Sequence, residues 1–284
     1  MSKSAKSAAH LLRFWGVRGS IPTADPEQSL IGGNTSCVEL TTADGSHIIF
    51  DGGTGLRGLG NHIGRQHSKP YEINLFLSHT HWDHIMGIPF FAPMHQPFAK
   101  INIYGPERSG ESLSEAVLGL FRAPYFPLHY SELKAHLNFI EVSEGETAFG
   151  NGFKIKYAPH PHPNGAISYR LEVDGRVITY ITDIEHTKDR LVKSVIELSR
   201  EADVLIHDSQ FHADDLPAHR SWGHSSWEEC TAVARKADVK ELFLYHFDPN
   251  YSDSDVLDME RRAQVVFPHT TAARQGMTFE IPTK

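Results

Sequence analysis

The stretch Ser78-His79-Thr80-His81-Trp82-Asp83-His84 sets three imidazoles and a carboxylate within six residues. A largely apolar run, Ile73-Asn74-Leu75-Phe76-Leu77, precedes it. That run is uncharged and rich in strand formers, so a buried strand should end where the donor-rich segment starts. In α/β folds the carboxyl ends of strands are where sites gather. Along extended backbone His79 and His81 point to the same side and can grip one cation. Asp83 and His84 follow as the chain turns and can face a second cation nearby. The chain holds 19 histidines, but four donors in six residues go beyond an ordinary surface and suit zinc-like ions.

The 284 residues contain no Ser/Gly or Pro-rich linker, no repeat and no low-complexity segment, which predicts one large α/β domain over residues 1–284. Residues 1–10 are small and polar and are expected to be disordered. No secretory leader and no membrane-spanning stretch is expected. Cys37 and Cys230 form no disulfide framework and no metal-type spacing, which predicts a reducing, cytoplasmic setting. Net charge is −8 and no Lys/Arg run offers a basic stripe, so long nucleic acid is expected to be a poor partner. A small anionic substrate beside bound cations remains compatible with that charge.

Other stretches carry chemistry at strand ends. Arg18, in a Gly/Ser/Pro loop, could reach an anionic ligand or form an exposed salt bridge. His47 to Phe50 reads as a strand running into Asp51-Gly52-Gly53, where Asp51 either supports the donor loop or bonds nearby turn amides. Residues 107–136 include a helix over Glu111–Phe121 and an aromatic, proline-bearing loop from Ala123 to Tyr130. That loop could wall a substrate pocket, meet a partner or roof the core. Phe153 to Tyr157 alternates as a half-buried strand and delivers His160 and His162. The strand Arg176–Thr182 ends at Asp183, followed by Glu185 and His186, the latter a pocket residue or a helix-cap neighbour. Asp203 to His207 is a strand ending at Asp208. Ser225 and Glu228 form a capping box that predicts a helix start there, with His224 just ahead of the free amides. Glu241–Tyr245 is a core strand ending at His246. A cap at Ser252 to Asp255 opens a helix to about Val266, and Met277–Ile281 reads as an edge strand or a loosely held tail.

The pattern His79-x-His81-x-Asp83-His84 resembles the His-x-His-x-Asp-His signature of the metallo-β-lactamase superfamily. The later elements, in order, resemble its branch of ribonuclease Z and related phosphodiesterases, from about Phe14 to Pro249. The resemblance implies a four-layer αββα sandwich. It implies two divalent transition-metal ions, zinc first, with manganese or iron as alternatives. His79, His81 and His162 would bind one ion, Asp83, His84 and His246 the other, and Asp183 would bridge them. The family's third histidine sits in a His-Pro turn before a Tyr-Arg strand, which selects His162 and leaves His160 as a neighbour. Asp51 would abut the metal loop without being a ligand, and 107–136 would be a family-variable insertion near the active site. His224-Ser225-Ser226 is similar to a His-Ser-Thr whose histidine contacts the scissile phosphate. Asp208 matches the acidic residue that orients it, although the family often has Glu there.

The implied reaction is phosphodiester hydrolysis by a metal-activated hydroxide, with Asp83, His224 and Asp208 as catalytic residues. Ribonuclease Z carries a long tRNA-gripping arm between its third histidine and bridging aspartate. Here only 20 residues separate His162 from Asp183, enough for two strands and no arm. With the negative charge, that favours a small phosphodiester, such as a cyclic nucleotide or cyclic dinucleotide, over tRNA. An RNA-processing endonuclease of the ribonuclease Z type is the alternative. A lactam or thioester hydrolase would leave His224 unexplained, and a non-catalytic partner-binding relative would be expected to lose ligands. A homodimer is compatible with all of these.

Overall fold

Strand alternation decides which side chains meet in this chain, because successive residues face opposite sides of a sheet. The computed structural model describes residues 9–66, 70–107, 110–149, 152–187 and 190–284. The first strands are β1 (Ala9–Gly16), β2 (Cys37–Thr41), β3 (His47–Phe50), β4 (Tyr71–Phe76), β5 (Ala99–Pro106) and β6 (His136–Val142). With the last strand, β14 (Thr278–Pro282), they form one seven-stranded sheet in the order β14-β1-β2-β3-β4-β5-β6. The second sheet contains β7 (Gly145–Ala148), β8 (Phe153–His160), β9 (Ala166–Val173), β10 (Arg176–Ile181), β11 (Val204–Asp208), β12 (Glu241–Tyr245) and β13 (Thr270–Ala272). Its order is β13-β12-β11-β10-β9-β8-β7.

Helical crossovers join the parallel strands, as such connections require. Helix α1 (Gly55–Gln66) links β3 to β4, and α2 (Trp82–Ile85) and α3 (Leu113–Leu118) follow β4 and β5. Helices α4 (Lys193–Ser199), α5 (Trp227–Ala237) and α6 (Asp253–Val266) lead into β11, β12 and β13, each parallel to its predecessor. Ile49 joins Leu56, Leu59 and Ile63 of α1 in an outer core, whereas Ile48 and Phe50 turn into the core shared with the second sheet. Leu113 and Val117 of α3 extend the outer core. Trp227, Val233, Val256 and Met259 cover the far face of the second sheet. The result is the four-layer αββα sandwich, and no helix among the described residues is long and apolar enough to cross a membrane.

Three buried tyrosines of the second sheet donate across the sandwich interior. Tyr169 reaches the Leu77 carbonyl at 2.6 Å, Tyr180 the Asp51 carboxylate at 2.8 Å, and Tyr245 the Gly16 carbonyl at 2.9 Å. Each phenol finds a partner, as burial of its hydroxyl demands. All three land near the carboxyl ends of first-sheet strands, so the two sheets are pinned where the donor-rich loop emerges.

Several expectations change. Ala9 and His10 open β1, paired with β14, so order begins earlier than residue 11; residues 1–8 lie outside the described residues. Arg18 makes neither an anion contact nor an exposed salt bridge. It is fully buried and donates to the carbonyls of Gly32, Asp248 and Tyr251 at 3.0, 3.0 and 2.7 Å. The helix expected over Glu111–Phe121 starts two residues later, after a capping box of Ser112 and Glu115, and tightens into a 3-10 turn at Gly119–Phe121. Residues 108–109 of the 107–136 segment lie outside the described residues.

Arg18 thus ties the loop after β1 to the chain leaving β12. Arg18→Met should remove all three bonds, leave the Gly32 carbonyl without a partner and lower stability by roughly 3 kcal/mol, since bonds from a charged donor are the stronger kind. Urea unfolding should show a lower midpoint at an unchanged slope.

Candidate metal centre

Strand carboxyl ends converge at one edge of the sandwich, and each ends in a polar residue. Asp51 follows β3, Ser78 and His79 follow β4, His162 follows β8, Asp183 follows β10, Asp208 ends β11 and His246 follows β12. Asp51, Asp183 and His246 all adopt left-handed backbone, with φ of 59°, 54° and 63°. That conformation is uncommon for side-chain-bearing residues and tends to mark functional sites. It lets the chain leave a strand and turn its next side chain back over the strand end.

Two donor groups share one carboxylate, and a third, of Asp183, Asp208, His224 and His246, overlaps the second. His79, His81, His162 and Asp183 form the first, and Asp83, His84, Asp183 and His246 the second, with the donor atoms of each within 4.8 Å of one another. Asp183 presents Oδ2 to the first, 3.7 Å from His79 Nε2 and 3.6 Å from His162 Nε2. Its Oδ1 faces the second, 3.1 Å from Nε2 of both His84 and His246. Asp83 Oδ2 lies 3.2 Å from the same two nitrogens and accepts the Ser20 backbone N–H at 2.7 Å. His81 Nδ1 lies 3.1 Å from His162 Nε2.

The outward ring nitrogens explain why the inward ones converge. His79 Nδ1 meets Ser78 Oγ at 3.0 Å, His84 Nδ1 meets Asp51 at 2.7 Å, His162 Nδ1 meets the Gly223 carbonyl at 3.0 Å and His246 Nδ1 meets Gln210 Oε1 at 3.0 Å. A partner on Nδ1 fixes the tautomer and leaves Nε2 as the lone-pair donor, the usual support of a metal-binding histidine. His79 Nε2 is buried without a hydrogen-bond partner. A buried orphan acceptor facing a carboxylate fits a cation as its missing partner. Divalent ions therefore match this donor set.

Protonation tendencies agree with that use for the first group. Burial, with His84 beside it, pushes His79 well below the ordinary histidine range, and burial lowers His162 to about 4. Both imidazoles are thus neutral. Burial works against ionised Asp183 and Asp83, yet the surrounding histidines hold both carboxyls well below their usual range. His84 is the exception: burial opposes its charge, but Asp183, Asp83 and Asp51 raise it. Negative charge thus crowds His84 from three sides, which favours a cation at this spot.

His160 does not join either group. Its Nε2 meets the Asp183 carbonyl at 3.1 Å and its Nδ1 meets Ser168 Oγ at 2.8 Å, so both nitrogens are spent holding the Asp183 turn. His186 is buried, with Nδ1 accepting the Val192 N–H that precedes α4. It is both a helix-cap neighbour and part of the lining of a cleft beside His162, with Glu185, Arg220 and Gly223.

His224 and Asp208 stand beside the shared carboxylate. His224 Nδ1 meets Asp208 Oδ2 at 2.9 Å and lies 3.9 Å from Asp183 Oδ2, and its ring stacks on His246 at 5.1 Å. Burial disfavours its charge, but Asp208 chiefly, then Asp183 and Asp83, raise it to about 9. The helix start differs from expectation by one residue. Ser226, with Glu229, makes the capping box of α5, because the Ser225 hydroxyl is already committed to the Ile184 carbonyl at 2.6 Å. His224 therefore sits two residues ahead of the cap, oriented by Asp208 rather than by the helix end.

Sequence reasoning missed two supports. Glu185 accepts from the backbone N–H groups of Ser221 and Gly223 at 3.1 and 2.9 Å, which sets the loop carrying His224. Gln210 orients His246, and nothing in its sequence context marks it. Gly223 itself has φ of 90°, and a Cβ there would meet His162 Nδ1 at 2.1 Å, so the loop can approach His162 only as glycine.

Comparison with known proteins supplies the family. The model of a family described as "Beta-lactamase superfamily domain" matches residues 46–247. Ribonuclease Z of Thermoplasma acidophilum is 26% identical, over 95% of this chain and 96% of its own length. Among solved structures, the metallo-beta-lactamase fold protein YhfI of Bacillus subtilis superposes with a TM-score of 0.72 at 22% identity, covering 96% of this chain and 99% of its own. The short form of human tRNase Z does so with a TM-score of 0.67 at 20% identity, covering 96% and 99%. These two structural likenesses bear on the fold. The chain belongs to the metallo-β-lactamase superfamily, within its ribonuclease Z-like branch, and is a metal-dependent hydrolase.

Proposed function

We propose that this hydrolase cleaves phosphodiester bonds and that its substrate is RNA, as the ribonuclease Z name of its relative suggests. That name runs against the expectation, from charge alone, that long nucleic acid is a poor partner. The phosphodiester reading stands chiefly on one contact, the 2.9 Å bond between His224 and Asp208 beside Asp183. With Nδ1 held by Asp208, His224 keeps Nε2 to meet a phosphoryl oxygen as negative charge gathers there, or to protonate the departing alkoxide. A lactam or thioester has no second non-bridging oxygen to occupy that donor.

His79, His81 and His162 would hold one divalent ion, Asp83, His84 and His246 the other, and Asp183 both. Bound there, such ions supply Lewis-acid polarisation of the phosphoryl group and a more acidic water. Asp83, anchored by the Ser20 N–H, is positioned to take a proton from the attacking water. Asp51 keeps His84 in place, and His160 keeps Asp183 in place. Zinc is the metal we favour, in a reducing compartment that leaves the buried Cys37 and Cys230 free.

One observation favours a second reading, a small phosphodiester such as a cyclic nucleotide or cyclic dinucleotide. Between His162 and Asp183 the chain is consumed by β9, β10 and the turn Asp174-Gly175, so no arm of the kind ascribed to ribonuclease Z extends there. Steady-state kcat/KM for a precursor tRNA against a panel of cyclic nucleotides and dinucleotides decides. Faster turnover of the tRNA supports the RNA reading, and the reverse ranking replaces it with the second.

Three outcomes are expected besides. Purified protein should carry about two transition-metal ions per chain, and their removal by a chelator should abolish turnover and lower the melting temperature, since the ions bind only the folded state. Plasma emission of metal content with thermal melts checks both. His224→Ala should retain the metals while kcat falls about 10²–10³-fold, the usual loss of one transition-state donor. Asp51→Asn should weaken metal affinity about 10–100-fold in chelator competition, because His84 loses the carboxylate that orients it.

A further inference from the structure

Trp82 stands between His81 and Asp83, yet it is 76% exposed. An indole is normally among the better-buried side chains. Among the described residues its ring has no aromatic pair and its N–H no hydrogen-bond partner. It lines a cleft of about 610 Å³ with Thr80, Glu111, Arg122 and Tyr125. Tyr125 is 79% exposed, and the Arg122 guanidinium lies over its ring at 5.8 Å. Below this surface Phe126 packs edge to face on Phe121 at 5.5 Å and on Phe90 at 5.6 Å. The aromatic segment is therefore anchored from beneath while its outer rings stay open.

We propose that this cleft is a stacking subsite for the nucleobase flanking the scissile phosphate, with Trp82 and Tyr125 as platforms and Arg122 as their cationic neighbour. The assignment rests on the phosphodiester reading and names the part of the substrate that the metal centre does not touch. Trp82 is one peptide bond from a candidate ligand on either side, so a group leaning on its indole is covalently close to whatever those ligands hold. Flat, exposed rings and a guanidinium are the groups on which bases stack, largely irrespective of base identity. A choline-type headgroup would also seek aromatic faces, but the Arg122 guanidinium beside Tyr125 repels a second cation. The cleft volume lies within the range of small-ligand sites, about 300–1,000 Å³.

Calorimetric titration of the metal-loaded protein with AMP and with ribose 5-phosphate tests the subsite. The two probes share sugar and phosphate, and only one has a base. AMP should bind about 10-fold more tightly, the ~1.4 kcal/mol of one stacked base. Trp82→Ala should cut that preference to about twofold or less, Trp82→Phe should keep most of it, and Tyr125→Ala should lower it. Equal affinity of the wild-type protein for both probes, binding of neither, or a preference untouched by W82A and Y125A overturns the subsite. Hydrolysis of bis(p-nitrophenyl) phosphate by the same preparation separates two failures. Activity without a base preference sinks the subsite alone, whereas no phosphodiesterase activity with zinc, manganese or iron sinks the underlying reading as well.

Discussion

The Asp51 carboxylate is the contact on which the rest of this architecture depends. It is wholly buried at the junction of the two sheets and accepts from the Ser78 N–H, the Ser78 hydroxyl, His84 Nδ1 and the Tyr180 hydroxyl. An ionised carboxylate without such partners would cost several kcal/mol to bury. With them it fixes the start of the donor loop, the ring of one candidate ligand and the spacing of the sheets at once. Because its backbone is left-handed, the side chain folds back over β4 instead of continuing outward from β3.

Charge is distributed in rings around that point. Asp83, Asp183 and Asp208 are buried close together, which would be mutually repulsive without compensation. Histidines interleave with them: His84 and His246 lie between Asp83 and Asp183, and His224 lies between Asp183 and Asp208. A chain with net charge −8 thus concentrates part of its acidity where cations compensate it. Overall charge is therefore a poor guide to what the centre binds: what an anion meets is the local field of the centre.

How far the sequence could be read depended on the range of each interaction. The cluster from His79 to His84 was legible from local spacing, since strand alternation and one helical turn suffice to aim those side chains. The sandwich, Asp183 and His246 became legible only through resemblance to a family, because their convergence spans most of the chain. His160 and His162 differ by two residues; the family pattern pointed to His162, and the structure separates them by turning His160 to Ser168 and the Asp183 carbonyl and His162 to the Asp183 carboxylate. Arg18 was unreadable, since its partners are carbonyls and carbonyls leave no mark on side-chain identity. The capping box of α5 was misplaced by one residue because two adjacent serines offer the same pattern and a tertiary bond chose between them.

The strand order also divides the centre by origin. His79, His81, Asp83 and His84 come from the half of the chain that builds the first sheet, and His162, Asp183 and His246 from the half that builds the second. The crossover lies at Ser143 and Glu144, between β6 and β7. Yet β14 returns to pair with β1, so the carboxyl-terminal half keeps one strand inside its partner's sheet. Severed at that crossover, the protein would become two complementary fragments, neither owning a complete cation cradle. Divalent ions would then act as the solder between them, and metal uptake would report their reassociation.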